Sequence, residues 1–201
     1  HHYAGDTNSS DDQVPWPDPG EPNSSYGRLE NLYVEIRDYL HEHLDLPDER
    51  YYDVVACWVL ASWRQRDFET SPYLFFLGPV SSGKTRALEC LWQLCYRGML
   101  VSSISPAALF RAVHAYQPTL LIDESELYSR ETLTEVLAIL NAGYRRGQVV
   151  VRVVNVSNGE PRLGRFETYS FKALAGTREM KDTLRSRCIT IPMQKTTRKI
   201  P

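Results

Sequence analysis

The amino-acid sequence predicts an α/β fold: a three-layer α/β/α sandwich on a mainly parallel five-stranded sheet. A pair of helices precedes the sheet, and a β-hairpin is inserted before the strand Lys172–Gly176. Three observations predict this. Short apolar runs such as Pro72–Leu77 and Thr119–Ile122 suit strands covered on both faces. Segments of helical period alternate with them, the order that builds a parallel sheet with helices on both sides. Val149–Val156 and Arg165–Phe171 alternate in polarity around Asn158-Gly159, as a two-stranded ribbon does.

Residues 1–26 are rich in Pro, Asp, Gly, Ser and Asn and poor in aliphatics, which predicts disorder. The opening His1-His2, with no initiator Met, reads as an expression remnant or as the start of an excised fragment. From Arg28, the residues Leu29, Leu32, Tyr33, Ile36, Tyr39, Leu40 and Leu44 recur at helical spacing, with Glu30, Glu35, Arg37, Asp38 and Glu42 between them. Pro47-Asp48 ends that helix and caps the next, Glu49–Arg66, which is apolar nearly all round and so predicted to lie between two layers. Pro72–Leu77 is a strand, Lys84–Tyr96 a helix, Met99–Ser103 a strand and Pro106–Tyr116 a helix. Thr119–Ile122 is a buried strand and Glu131–Tyr144 a helix. After the ribbon come the strand Lys172–Gly176, a short helix Lys181–Arg187 and a last strand Cys188–Met193. Residues 27–70 are thus expected to form a helix pair packed on a core of residues 71–201.

Of 201 residues, 42% are apolar and 24% charged, the balance of a soluble globular protein with a real core. No apolar run approaches the ~18 residues of a membrane helix, and no secretory signal precedes the fold. No membrane partner is expected. The four cysteines (Cys57, Cys90, Cys95, Cys188) form no CxxC pair and read as reduced thiols of a cytoplasmic protein. Net charge is only −2, but residues 1–50 carry 12 acidic and 3 basic residues, whereas residues 51–201 carry 13 and 20. From Arg145 onward there are 13 basic and 4 acidic residues, and this basic C-terminal third suits nucleotide or nucleic acid, or else an acidic neighbour or a solvated face.

Gly78-Pro79-Val80-Ser81-Ser82-Gly83-Lys84-Thr85 fits G-x-x-x-x-G-K-[ST] in full, between a predicted strand and helix. The chemistry needs these types. Glycines let backbone N–H groups close around phosphate oxygens, and the helix N-terminus adds positive charge. Lys84 is expected to reach the β- and γ-phosphates of ATP, and the Thr85 hydroxyl to ligate Mg²⁺. The loop and the adjoining Arg86 are the candidate nucleotide contacts. Leu120-Leu121-Ile122-Asp123-Glu124 is a buried strand ending in carboxylates. Asp123 is the second candidate for the Mg²⁺ shell, and Glu124 the candidate base that orients water. Glu126 is read as a surface carboxylate.

These two motifs resemble the Walker A and Walker B elements of ATPases with an additional strand between them, and more narrowly the AAA+ class over about residues 72–193. The resemblance implies that Thr177, after Lys172-Ala-Leu-Ala-Gly176, senses the γ-phosphate. It implies that Arg187, or failing it Arg185, in Leu184-Arg-Ser-Arg-Cys-Ile189 reaches a neighbouring subunit's nucleotide. For either arginine a surface salt bridge is the alternative. It also implies a ring oligomer, a hexamer for the full-length protein. In replicative helicases of the MCM and viral superfamily-3 kinds a hairpin at the ribbon's position contacts DNA; Arg152, Arg162 and Arg165 would supply phosphate contacts, or else be solvated on a plain edge hairpin. The chain is also similar to the P-loop domain of primase/helicase-like proteins of phages, plasmids and integrated elements. Ser105-Pro-Ala-Ala-Leu-Phe110, Leu140-Asn-Ala-Gly-Tyr-Arg-Arg-Gly147 and Asp182-Thr-Leu-Arg-Ser-Arg187 carry that resemblance. A helical lid is expected to be absent, since the sequence stops after the last strand.

The resulting expectation is an ATP-driven motor, a DNA helicase/translocase or replication-associated ATPase of a mobile element. Two rivals share the P-loop: a small-molecule or nucleotide kinase, and a nucleotide-gated DNA-binding regulator that hydrolyses little. Glu124 and Arg187 favour the motor.

Overall fold

The computed structural model describes residues 27–101, 104–123, 130–155, 161–180, 182–196, 198 and 200. Two helices come first, α1 (Leu29–His43) and α2 (Glu49–Trp63). Asp48 caps α2 by accepting from Arg50 N, and Tyr52 fixes the turn between them by donating to Leu44 O at 3.0 Å and accepting from Leu46 N at 2.9 Å. A 3-10 turn, Gln65–Asp67, replaces the predicted last residues of α2. The sheet and its helices follow: β1 (Tyr73–Leu77), α3 (Lys84–Leu94), β2 (Gly98–Val101), α4 (Pro106–Tyr116), β3 (Thr119–Asp123) and α5 (Arg130–Ala142). The ribbon is β4 (Val149–Asn155) and β5 (Pro161–Glu167). Then come β6 (Lys172–Gly176), α6 (Asp182–Arg185) and β7 (Cys188–Pro192).

The five sheet strands lie in the order β2-β3-β6-β1-β7, all parallel. The expected additional strand, β6, separates β1 from β3. Side chains alternate across the pleat, so each strand feeds two cores. Leu74, Phe76, Leu121, Ala173, Ala175 and Ile191 face α1, α2 and α3, whose Leu40, Val55, Val59, Ala87, Leu88 and Leu91 cover them. Tyr73, Phe75, Leu120, Ile122 and Leu174 face Leu109, Phe110 and Val113 of α4 and Val136, Ile139 and Leu140 of α5. The architecture is the expected three-layer sandwich.

The ribbon departs from the sequence reading. Its second strand is Pro161–Glu167 rather than residues 165–171, paired from Val149↔Glu167 to Asn155↔Pro161. Thr168, Tyr169, Ser170 and Phe171 are instead buried at the foot of the sheet. The ribbon's inner face packs on α4, with Phe166 and Phe110 ring centroids 4.6 Å apart. The expected disorder of residues 1–26 falls outside the described residues. Among the described residues no helix is long and apolar enough to cross a membrane.

Candidate functional site

The loop closing β1 is bent by two left-handed residues, Ser81 (φ 63°) and Gly83 (φ 83°). Gly83 costs little there, whereas the conformation is uncommon for a residue such as Ser81. Gly78 is required for a different reason. A Cβ at that position would stand 2.3 Å from the backbone oxygen of Met193, because Met193 N donates to Leu77 O at 2.7 Å as the chain leaves β7. α3 then starts without a side-chain cap, unlike α2 and α4, which use Asp48 and Ser105. The backbone N–H groups of its first turn therefore point into the loop with no side-chain acceptor, the arrangement that receives phosphate oxygens.

Lys84 is buried in this loop, its Nζ donating to Gly78 O at 2.9 Å and Pro79 O at 2.7 Å. Burial lowers the pKa of its ammonium, and the Asp123 carboxylate opposes that shift. β1 and β3 are two strand spacings apart, about 10 Å, yet Thr85 on the first turn of α3 bridges them. Its Oγ1 donates to Asp123 Oδ2 at 2.9 Å. A hydroxyl and a carboxylate thus meet at the sheet's C-terminal edge, hard oxygen donors of the kind Mg²⁺ takes beside substrate phosphates and water. The donor set fits that ion. Among the described residues no group of three His, Cys, Asp or Glu forms a protein-only metal cage.

Thr177 follows β6 between the two motifs: Gly176 O accepts from Gly78 N at 3.1 Å, and Ala175 is in register with Asp123. The sheet order thus gathers Gly78–Thr85, Asp123 and Thr177 along one edge. Glu124 and Glu126 lie outside the described residues. Val80 and Ser81 are exposed and Ser82 is buried.

The arginines are elsewhere. Arg187 precedes β7 at the opposite edge, where the strands begin, and its backbone oxygen accepts from Tyr73 N at 2.9 Å. β1 alone, at ~3.3 Å per residue, puts about 13 Å between that point and its own P-loop. Its guanidinium donates to Asn141 O at 3.0 Å and to the Asn141 side chain, and lies over the Tyr144 ring. Arg185 pairs with Glu179 at 2.9 Å in an exposed ion pair. The ribbon register puts Arg152 opposite Gly164 and Arg162 opposite Val154 on one face, but Arg165 opposite Val151 on the other. Arg152 covers Phe110, and the three arginines do not form one row.

One residue without a sequence-predicted role stands out at the strand-start edge. Lys172 is fully buried, and its Nζ donates to Gly143 O, Thr168 O and Ser170 O at 3.2, 2.9 and 3.0 Å. Tyr73 Oη donates to Leu140 O at 2.7 Å. Together with Arg187, these donors cap carbonyls at the end of α5 and the residue following it, where the helix dipole is negative. A lysine opening a fully buried strand was the available signal.

Sheet order and loop define a P-loop NTPase-like α/β sandwich. No protein-family model matches the chain, and no curated protein matches it. Two solved structures of JCV helicase are similar to it. One, bound to a thiazolopyridine-containing acetamide, is 17% identical with a TM-score of 0.45, over 85% of this chain and 47% of that one. The other, an X-ray structure of JCV helicase, is 18% identical with a TM-score of 0.44, over 85% and 46%. The chain spans about half the length of these structures. The class of fold rests on this chain's own sheet order and loop.

Proposed function

We propose that this chain binds ATP with Mg²⁺ at residues 78–86 and hydrolyses it. It does so as the core of an oligomeric, AAA+-like motor that acts on DNA, a helicase/translocase or replication-associated ATPase of a mobile element. The observation that carries the reading is the junction of Lys84, Thr85 and Asp123 at the end of β1 and β3. Lys84 exchanges its two loop carbonyls for phosphate oxygens and compensates their charge. Thr85 and Asp123 hold the metal, whose chemistry is to neutralise charge on the β- and γ-phosphates. Glu124, next to Asp123, orients and polarises the attacking water. Thr177, between the motifs, reports on the terminal phosphate.

Arg187 stands at the far edge from its own P-loop, which supports a role on a neighbour's nucleotide after leaving Asn141. Of the ribbon arginines, Arg162 and Arg165 are exposed and available to DNA phosphates from opposite faces, while Arg152 has to leave Phe110 to contribute.

The test is Glu124→Gln, with ATP binding and phosphate release measured separately. Expected is full ATP affinity with turnover reduced ~10²–10⁴-fold, the worth of a positioned base. Normal turnover in that variant would assign the base elsewhere. ADP formation that requires an added acceptor, with the γ-phosphoryl group transferred to that acceptor and no free phosphate released, would replace the motor with a kinase.

A further inference from the structure

The edge where the strands begin is assembled from four chain segments. Tyr96 N donates to Ser62 Oγ at 3.1 Å, Gln65 Nε2 to Gln117 O at 2.6 Å, and Arg146 N to Glu69 O at 2.8 Å. These bonds join residues 62–70, 94–98, 116–119 and 143–148 into one surface. It carries five arginines (64, 66, 97, 145 and 146) against Asp67 and Glu69. Arg64 is matched by Asp67 at 2.5 Å, and Arg146 donates to Gln65 O at 2.9 Å. Arg66 and Arg145 are exposed and form no ion pair among the described residues. Trp63, 50% exposed, stands edge-on to Tyr96 with ring centroids 5.6 Å apart, and Arg97 lies over Tyr96. Arg, Trp and Tyr clustered in this way are the residues that dominate binding energy at protein interfaces.

The complementary surface is on the same chain. The outward face of α1 presents Glu30, Val34, Glu35, Asp38 and Glu42, all exposed. At ~100° per residue they fall within about 140° of arc. Glu35, Asp38 and Glu42 form no ion pair among the described residues, and Val34 is 50% exposed among them. α1 packs against α2 and α3, and among the described residues no ion pair joins its acidic face to the arginines of the strand-start edge, so the two surfaces leave each other unneutralised within one chain. Asp67 and Glu69 interrupt the arginines, which weakens the edge as a track for a phosphate backbone but suits a mixed protein face.

We propose that a second copy of this chain docks the outward face of α1 onto the strand-start edge, with Glu35 and Asp38 meeting Arg66 and Arg145 and Val34 packing near Trp63. Such a contact uses different patches on the two copies, so it propagates head to tail into a ring or filament. It rests on the oligomeric part of the function proposed above and gives that oligomer an interface, but it does not require nucleotide.

The test is sedimentation of the 201-residue chain over a range of concentrations at about 0.05 M and about 0.5 M salt, between which screening shortens several-fold. Expected is concentration-dependent association at low salt, weakened at high salt. Two variants follow, R66E/R145E and E35R/D38R, each checked for a cooperative thermal transition. Each alone should raise the dissociation constant at least ~10-fold, about 1.4 kcal/mol. Mixing the two should restore association, because the reversed α1 of one meets the reversed edge of the other. A monomer at every concentration, unchanged association in either variant, or no recovery on mixing would overturn the contact. So would binding of a single-stranded oligonucleotide that R66E/R145E abolishes while self-association persists, which assigns the edge to nucleic acid. Calorimetric ATP binding by wild type and both variants reads the nucleotide site separately, so the two proposals fail independently.

Discussion

Replacing Lys172 by Met removes an ammonium from beneath the sheet while keeping an unbranched chain of similar length. The three carbonyls of Gly143, Thr168 and Ser170 then lose their shared donor in a buried position. Ser170 O keeps the Ser71 Oγ donor at 3.1 Å, so the Gly143 and Thr168 carbonyls are the ones stranded. Each costs about 1–3 kcal/mol, and relief of burying a charge returns part of that. The net loss expected is about 2–4 kcal/mol. Urea unfolding measures it as a lower midpoint at unchanged slope. The difference also depends on pH. Burial pulls the Lys172 ammonium down to about 7, below its unfolded value. A group with a lowered folded pKa binds its proton more tightly when unfolded, so stability rises with pH between the two values. Wild type should therefore gain on Lys172→Met as pH rises from about 7 toward the ordinary lysine range, with no further change below 7. A variant as stable as wild type, or more stable at every pH, would refute the reasoning that the ammonium satisfies those carbonyls.

Gly78→Ala forces a Cβ to within 2.3 Å of Met193 O, a backbone atom that cannot turn aside. Expected are a loss of about 1–3 kcal/mol in urea unfolding and weaker ATP binding, from overpacking under the loop. The trans role of Arg187 predicts that Arg187→Ala and Lys84→Ala proteins, each inactive alone, regain ATPase when mixed, and lose it on dilution. Fingers of this type contribute ~10³-fold or more to turnover. No recovery, with activity per mole independent of concentration, would return Arg187 to a purely structural tie on Asn141.

Much of the fold was legible because it is written in local signals. The run Tyr73–Leu77 followed by Gly78 marks both a doubly covered strand and its exit into a loop. The P-loop could be read whole, since its function depends on consecutive backbone amides. Sheet order is not local: alternation predicts parallel strands, and only the resemblance to ATPases with an additional strand between the two motifs places β6 between β1 and β3. The ribbon's second strand lies earlier than the alternation predicts, because polarity alternates on past Glu167. Pairing of Asn155 with Pro161 and burial of Thr168–Phe171 fix the register, and neither is local. Asn141 as the partner of Arg187, Gly143 as an acceptor for Lys172 and Met193 under Gly78 are contacts across long separations in sequence. Nothing in their own neighbourhoods announces them. The split of Arg165 from Arg152 and Arg162 likewise follows from strand register alone.

The central claim is that the loop from Gly78 to Thr85 is a nucleotide site organised by Lys84. Calorimetric titration of ATP with Mg²⁺ into wild type and into Lys84→Ala tests it most directly. The account predicts saturable one-site binding by wild type, none measurable by Lys84→Ala, and a cooperative unfolding transition in both. Equal ATP affinity in the two proteins would contradict it.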